Sequence, residues 1–239
     1  MQLQLKIAEN SARVAALPAL VKEYAMRSVR VFFKKEGRAK YISHLDLNRF
    51  MLKIIRKSKI PVWYSEGFNP HPYITFALPL SLGFESSYEI MDIRLDDDSY
   101  SNDSVFSALS GLLPVGFKLF KCADPIMKAG QIGFADYKIV FDSEDSSLVN
   151  ELYSFLQSES IISSKKTKKG TVKEIELKDY IKDFSVNGTT LNLTLAAGGS
   201  NNLNPKLVLD EYASSKSVSL PYYSITRTML YNENTEQFK

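Results

Sequence analysis

Apolar residues recur along this chain with two different periods, and the changes of period mark out its elements. Residues 28–33, "SVRVFF", are rich in β-branched and aromatic residues and predict a strand. After the turn "KKEGRA", Ser43 stands where an N-cap belongs, and Asp46 is placed to serve as the acidic half of a capping box. Leu47, Phe50, Met51, Ile54 and Ile55 then follow at helical spacing, so the helix is expected to run to about Lys57 and stop before Pro61. "VWYS", "YITFALPL" and "YEIMDIRL" predict strands, Pro79 limiting the second to an edge or a strand end. A second helix is expected over Asp98–Leu113, and "GFKLFKC" closes the first half as a strand.

The second half repeats the theme. "DYKIVF" predicts a strand, Ser147–Gln157 a helix, and Ile161 to Ile175 a basic hairpin. The turn Asn187-Gly188 leads into the strand "TTLNLTLAA". Pro205 opens the short helix "PKLVLDEY", and "YYSITRTMLY" is the last strand. The element order predicts an α+β fold of two tandem ferredoxin-like (βαββαβ) units. The expected boundaries are an N-terminal extension or linker remnant over 1–25, a first domain over 26–124, a linker over 125–135, and a second domain over 136–239. The halves share no convincing sequence repeat, so the duplication rests on element order alone.

Composition narrows the setting. With 239 residues, 44% of them hydrophobic and 24% charged, the chain has the make-up of a folded protein with a sizeable core. The single cysteine, Cys122, allows no internal disulfide, which sets the expectation of a cytoplasmic protein. No apolar run approaches the roughly 18 residues a membrane helix needs. The net charge of +3 is small, but its distribution is uneven. Basic residues crowd residues 27–59, among them Lys34, Arg38, Arg49, Lys53, Arg56 and Lys57, whereas 84–103 is acidic. A second basic cluster, Lys165, Lys166, Lys168 and Lys169, is expected at a hairpin tip. Cations interleaved with aromatics suit phosphate contact and base stacking, and equally suit a solvated surface.

The chain has two histidines, one in "YISHLDLNR" and one in "YSEGFNPHP". His44 should sit at the first helical position, where free N–H groups favour an anion. His71 is braced by Pro70 and Pro72 in a loop that also holds Glu66 and Asn69, the rigid setting a preorganised site needs. Ser43, Asp46 and Arg49 complete the candidate site. Three roles stay open for the histidines: they serve only the local structure, as cap and turn residues, they line a binding pocket, or they act as acid and base. No short-spaced ligand pair exists, so no metal and no cofactor is expected.

"SVRVFFKKEGRAKYISHLDLNRF" and "PVWYSEGFNPHPYITFALPLSLGFESSYEIMDI", together with the closing "ITRTMLY", resemble the radical SAM-linked protein family, a domain found beside or fused to radical SAM proteins. The likeness spans residues 27–235, with "NRFMLKIIRKSKIP" departing from a pattern richer in arginine and alanine. It implies an accessory or substrate-recognition role beside a radical SAM protein. This chain has no CxxxCxxC triad to hold that enzyme's cluster itself. Tandem ferredoxin-like halves also look like the RAMP-type endoribonucleases that process CRISPR repeats, a likeness of architecture only. Two functions follow as expectations. One is recognition of RNA, transfer or ribosomal, for a radical SAM partner. The other is a metal-independent ribonuclease or other acid–base enzyme using His44 and His71.

Overall fold

The computed structural model describes residues 27–143, 146–166, 172–199 and 201–239, with the side chains of 165, 166, 172 and 173 left aside. The expected N-terminal extension lies outside the described residues. Strand β1 (Ser28–Lys35) is buried on both faces: Val29, Val31 and Phe33 belong to one core and Phe32 to the other. Helix α1 (His44–Ser58) starts where Ser43 Oγ accepts the Asp46 N–H at 3.2 Å, and it buries Leu47, Met51, Ile54 and Ile55. Then come β2 (Ile74–Phe76), β3 (Glu85–Arg94), α2 (Asn102–Ser110) and β4 (Phe117–Ala123). The strands of this half lie in the order β4-β1-β3-β2.

The second half runs β5 (Ile132–Phe141), α3 (Ser147–Leu156), a hairpin β6 (Ile162–Lys166) and β7 (Val172–Glu176), then β8 (Ile181–Asn187), β9 (Thr190–Ala196), α4 (Pro205–Lys216) and β10 (Tyr223–Asn232). Its strands lie in the order β10-β5-β9-β8, with β6 and β7 forming a separate two-stranded ribbon. With that ribbon set aside as an insert, both halves place fourth strand beside first, first beside third, and third beside second. The chain is therefore a mixed α and β protein built on one large mixed sheet. The halves join through β3 and β10, which pair in parallel at Thr226 with Glu85 and at Arg227 with Ser86. The second core reaches over this seam and takes in Phe32, Leu80, Phe84, Tyr88 and Ile90 from the first half.

Several boundaries differ from expectation, each for a local reason. "YITFALPL" gives only Ile74–Phe76, because the Leu78 and Pro79 carbonyls turn away to accept from Arg227. The helix expected from Asp98 begins at Asn102: Asp97 holds a turn by accepting from the Ser99 N–H and hydroxyl, and Ser101 is the cap. β5 begins at Ile132, inside the expected linker. Gly133 there lies against the backbone of Glu233, where an added Cβ would come within 2.7 Å of its Cα. β8 was not foreseen, because a register shift between Ile181 and Asp183 breaks the alternation of Ile181, Phe184 and Val186.

Candidate functional site

The N-terminus of α1 forms much as its residues predict. Ser43 Oγ accepts the Asp46 N–H and donates its own hydrogen to the Asp46 carboxylate at 2.7 Å. The expected reciprocal bond, from the Ser43 N–H to Asp46, is thus replaced by a hydroxyl–carboxylate bond. Arg49 reaches the same carboxylate at 3.6 Å in an exposed pair, which contributes little to stability. His44 is half-buried, and its ring meets Phe76 edge-on with centroids 5.1 Å apart.

His71 stands on a different piece of structure. Residues 63–73 fold back on themselves: the Tyr73 N–H donates to Trp63 O and the Ser65 N–H to His71 O, each at 2.9 Å. Arg94 braces the base, its guanidinium 5.1 Å from the Trp63 ring centroid and 5.7 Å from that of Tyr73. The tip carries Glu66, Phe68 and Asn69, all exposed, and turns at Gly67, whose φ of 119° suits glycine alone. His71 Nδ1 lies 2.9 Å from Ser65 Oγ and 3.2 Å from Asn69 O. Both contacts fall on Nδ1, which donates to the Asn69 carbonyl when it carries the hydrogen and accepts from the Ser65 hydroxyl when it does not, and Nε2 is engaged in neither.

The two histidines are not brought together. Each has its own partners, and no hydrogen bond or ring contact joins them. The extended chain between Phe76, where His44 lies, and His71 spans about 16 Å. Of the residues expected to bind, Ser43, Asp46 and Arg49 cluster with His44, whereas Glu66 and Asn69 go with His71.

The basic stretch 27–59 divides into an inside and an outside. Arg49, Lys53, Arg56 and Lys57 lie exposed on α1, followed by exposed Lys59, and Arg38 is exposed before the helix. Lys34 is half-buried, 3.7 Å from Glu36. Arg30 and Lys35 are buried, and Arg27 is held in a partly exposed pair at the surface. Arg27 holds Asp124 at 2.7 Å, and Arg30 makes a bidentate pair with Asp92, both bonds 2.7 Å. Lys35 Nζ donates to Ile42 O at 2.8 Å, just ahead of the Ser43 cap. Of the second basic cluster, Lys165 and Lys166 lie in β6 with only their backbone described, and Lys168 and Lys169 fall outside the described residues.

Sequence reasoning missed the buried charge at the seam. Arg227 Nη2 meets Glu89 Oε1 at 2.6 Å with both side chains nearly inaccessible to solvent. The same guanidinium donates to Leu78 O at 2.9 Å and Pro79 O at 3.4 Å, and its Nε has no partner. Lys35 is drawn into this field. Burial pushes its pKa down, Glu89 opposes that, and Arg227 adds to it. This cluster anchors the Ile42 carbonyl leading into His44 and the loop that follows Phe76. Glu89 inside "YEIMDI" and Arg227 inside "ITRTM" were the available signal: charged residues in strands otherwise apolar enough to be buried.

Among the described residues, no group of three or more His, Cys, Asp or Glu side chains is placed to hold a metal ion. Among the same residues, no helix is long and apolar enough to cross a membrane.

A family model described as an uncharacterized protein conserved in bacteria (DUF2344) matches residues 28–205, from β1 to the first residue of α4. The chain belongs to this family. Both histidine motifs fall inside the family's span, whereas β10 and the seam residue Arg227 lie beyond it. Among curated proteins, none matches the sequence. Among solved structures, a crystal structure of a Cbf5-Nop10-Gar1 complex is similar over 89% of this chain and 52% of that chain, at 8% identity and a TM-score of 0.44. The chain thus spans about half the length of that relative. An unknown protein from Galdieria sulphuraria is similar over 84% of this chain and 98% of that one, at 12% identity and a TM-score of 0.25. Both likenesses are distant, and neither bears on function.

Proposed function

We infer that this protein recognises RNA in the cytoplasm and presents it to a radical SAM enzyme, on a frame of two ferredoxin-like units. One observation carries the RNA reading. The exposed face of α1 is cationic at Arg49, Lys53, Arg56 and Lys57, and the chain passes from its end into a braced hairpin with Phe68 exposed at the tip. Cations track a phosphate backbone, and a fixed aromatic ring offers a platform for an unstacked base. On this reading His71 Nε2, Glu66 and Asn69 provide polar contacts at the tip. Helix α1 fixes phosphate register, and Arg38 and the Lys165–Lys169 region extend the grip. The radical SAM partner is supported by the "YISHLDL" and "YSEGFNPHP" motifs alone.

The test is binding of transfer and ribosomal RNA over a range of salt concentrations. Affinity should fall steeply with salt, by about 0.7 to 0.9 in log K per unit of log salt for each phosphate neutralised. Absent or salt-independent binding overturns the reading. Failure of a tagged chain to retain any radical SAM enzyme from its own host would remove the partner and leave RNA recognition standing.

A further inference from the structure

The sheet face turned away from α1 carries another cationic surface, built where β1 meets the edge strand β4. Phe33 pairs with Leu119 on the helix side, while on the opposite face Phe32 pairs with Lys121 and Lys34 with Lys118. Lys34 and Lys118 are therefore direct cross-strand neighbours. Like charges placed so work against an antiparallel pair. Among the described residues, Glu36, 3.7 Å from Lys34, is the one acid in an ion pair with either.

The register of β1 on β4 shifts between Phe32 and Phe33, so β4 carries one extra residue, Phe120. A bulge of this kind re-aims a side chain. The Phe120 ring is held by Phe32 at 6.1 Å and Tyr88 at 6.0 Å between centroids, yet remains 38% exposed. Lys121 Nζ sits 5.3 Å over the Phe32 ring, and Lys118 and Lys121 are both exposed. The C-terminal segment covers the Arg30 part of the face, where Phe238 is buried with Arg30 Cζ 4.7 Å from its ring centroid.

We propose that this surface binds a single-stranded segment of RNA, with one base stacked on Phe120 and phosphates held by Lys34, Lys118 and Lys121. The proposal rests on the RNA reading above and adds both a strand state and a location. A ring set within a sheet face accepts a base only when that base is free of its own stack, which excludes a regular duplex. The phosphates relieve the repulsion between Lys34 and Lys118.

Fluorescence anisotropy with a labelled single-stranded RNA of about ten nucleotides, and with the same strand annealed to its complement, tests this. The wild-type protein should favour the single strand. Phe120→Leu should weaken single-strand binding about fivefold or more, and Phe120→Tyr should restore it. The double variant Lys118→Gln/Lys121→Gln should weaken binding and flatten its salt dependence. Melting curves identify any variant that folds poorly, and the lysine pair decides if Phe120→Leu does. Wild-type protein that binds no RNA overturns the functional reading together with this surface. RNA binding lost in Lys53→Glu/Arg56→Glu but unchanged in both the Phe120→Leu and lysine variants overturns this surface alone. Polyglutamate bound as tightly as the RNA, and insensitive to Phe120→Leu, overturns it in favour of an acidic protein partner.

Discussion

The two halves order their strands alike, yet their helix-free sheet faces carry opposite chemistry. In the first, Lys34 and Lys118 stand side by side next to Phe120, with Glu36 as their nearby acid. In the second, Asp136 sits between the buried Ala135 and Tyr137 and is closed in by its neighbours. It accepts from the Thr194 hydroxyl at 2.6 Å and from the Tyr231 phenol at 2.7 Å. A cavity of about 230 Å³ above it is lined by further polar groups, including Asp183, Ser185 and Asn192. One frame has thus produced a carboxylate whose hydrogen bonds are made within the protein and a cation pair whose charge is not balanced there. Only the cation pair leaves a demand that an outside anion can meet, and the proposed RNA surface is therefore sought on the first half.

The comparison breaks most severely if the seam fails. Arg227→Ala leaves Glu89 buried without its partner and should cost about 3–5 kcal/mol in denaturant unfolding. Replacing both partners, as Arg227→Met/Glu89→Leu, should recover most of that loss. A cost below about 1 kcal/mol for Arg227→Ala, the range of exposed pairs, would show that the halves do not depend on this pair. Next in size is charge reversal on the first half. Lys53→Glu/Arg56→Glu should lower RNA affinity at least about tenfold at moderate salt without shifting the melting temperature, since both side chains are exposed. Unchanged affinity would move the contact elsewhere.

A smaller effect tests the second half. Tyr231→Phe removes one of the donors to Asp136 and should cost about 1–2 kcal/mol. The pH dependence gives a sharper signature. Burial, with Asp136 adding to it, raises the Tyr231 phenol from 10.0 to about 12, and burial with Glu151 raises Tyr212 to about 12. A raised phenol pKa means the folded state holds that proton more tightly than the unfolded chain does. The stabilisation is fully present below pH 10 and is lost as pH rises from 10 to about 12. Ultraviolet titration should show one phenol fewer in the high-pH phase for Tyr231→Phe than for wild type, and likewise one fewer for Tyr212→Phe. The smallest expected effect is at Cys122, whose thiol is pushed up to about 12 by burial and by the charge of Asp103. It should resist alkylation at neutral pH until the chain is unfolded. Rapid modification of the native protein would show that β4 opens locally.

Much of the local structure was legible because its causes are local. Ser43 starts α1, Pro205 follows the Asn204 cap of α4, and Gly188 turns the chain between β8 and β9, each set by side chains or φ angles within a few residues. The candidate site was legible to the same depth. Ser43 and Asp46 pair as neighbours on one turn, and the hairpin presents His71 between its prolines, braced by Ser65. The relation between these segments was not legible. Whether His44 and His71 converge depends on how far β2 carries the chain from Phe76, and no period or spacing encodes that.

Charge shows the same division. By itself the sequence determined the number of cations over residues 27–59, the cap that starts α1, and the order of most strands and helices, β8 and the "VWYS" segment excepted. Only the tertiary structure decided that Lys35 and Arg30 turn inward while Lys53 and Arg56 face water, and that Arg227 finds Glu89 across 138 positions of chain. The physical reason is that capping bonds, turn preferences and periodicity act over a few residues, whereas desolvation of a charge depends on everything folded around it. The parallel contact of β3 with β10 brings those distant residues together, and it falls between the halves, where no local pattern reaches.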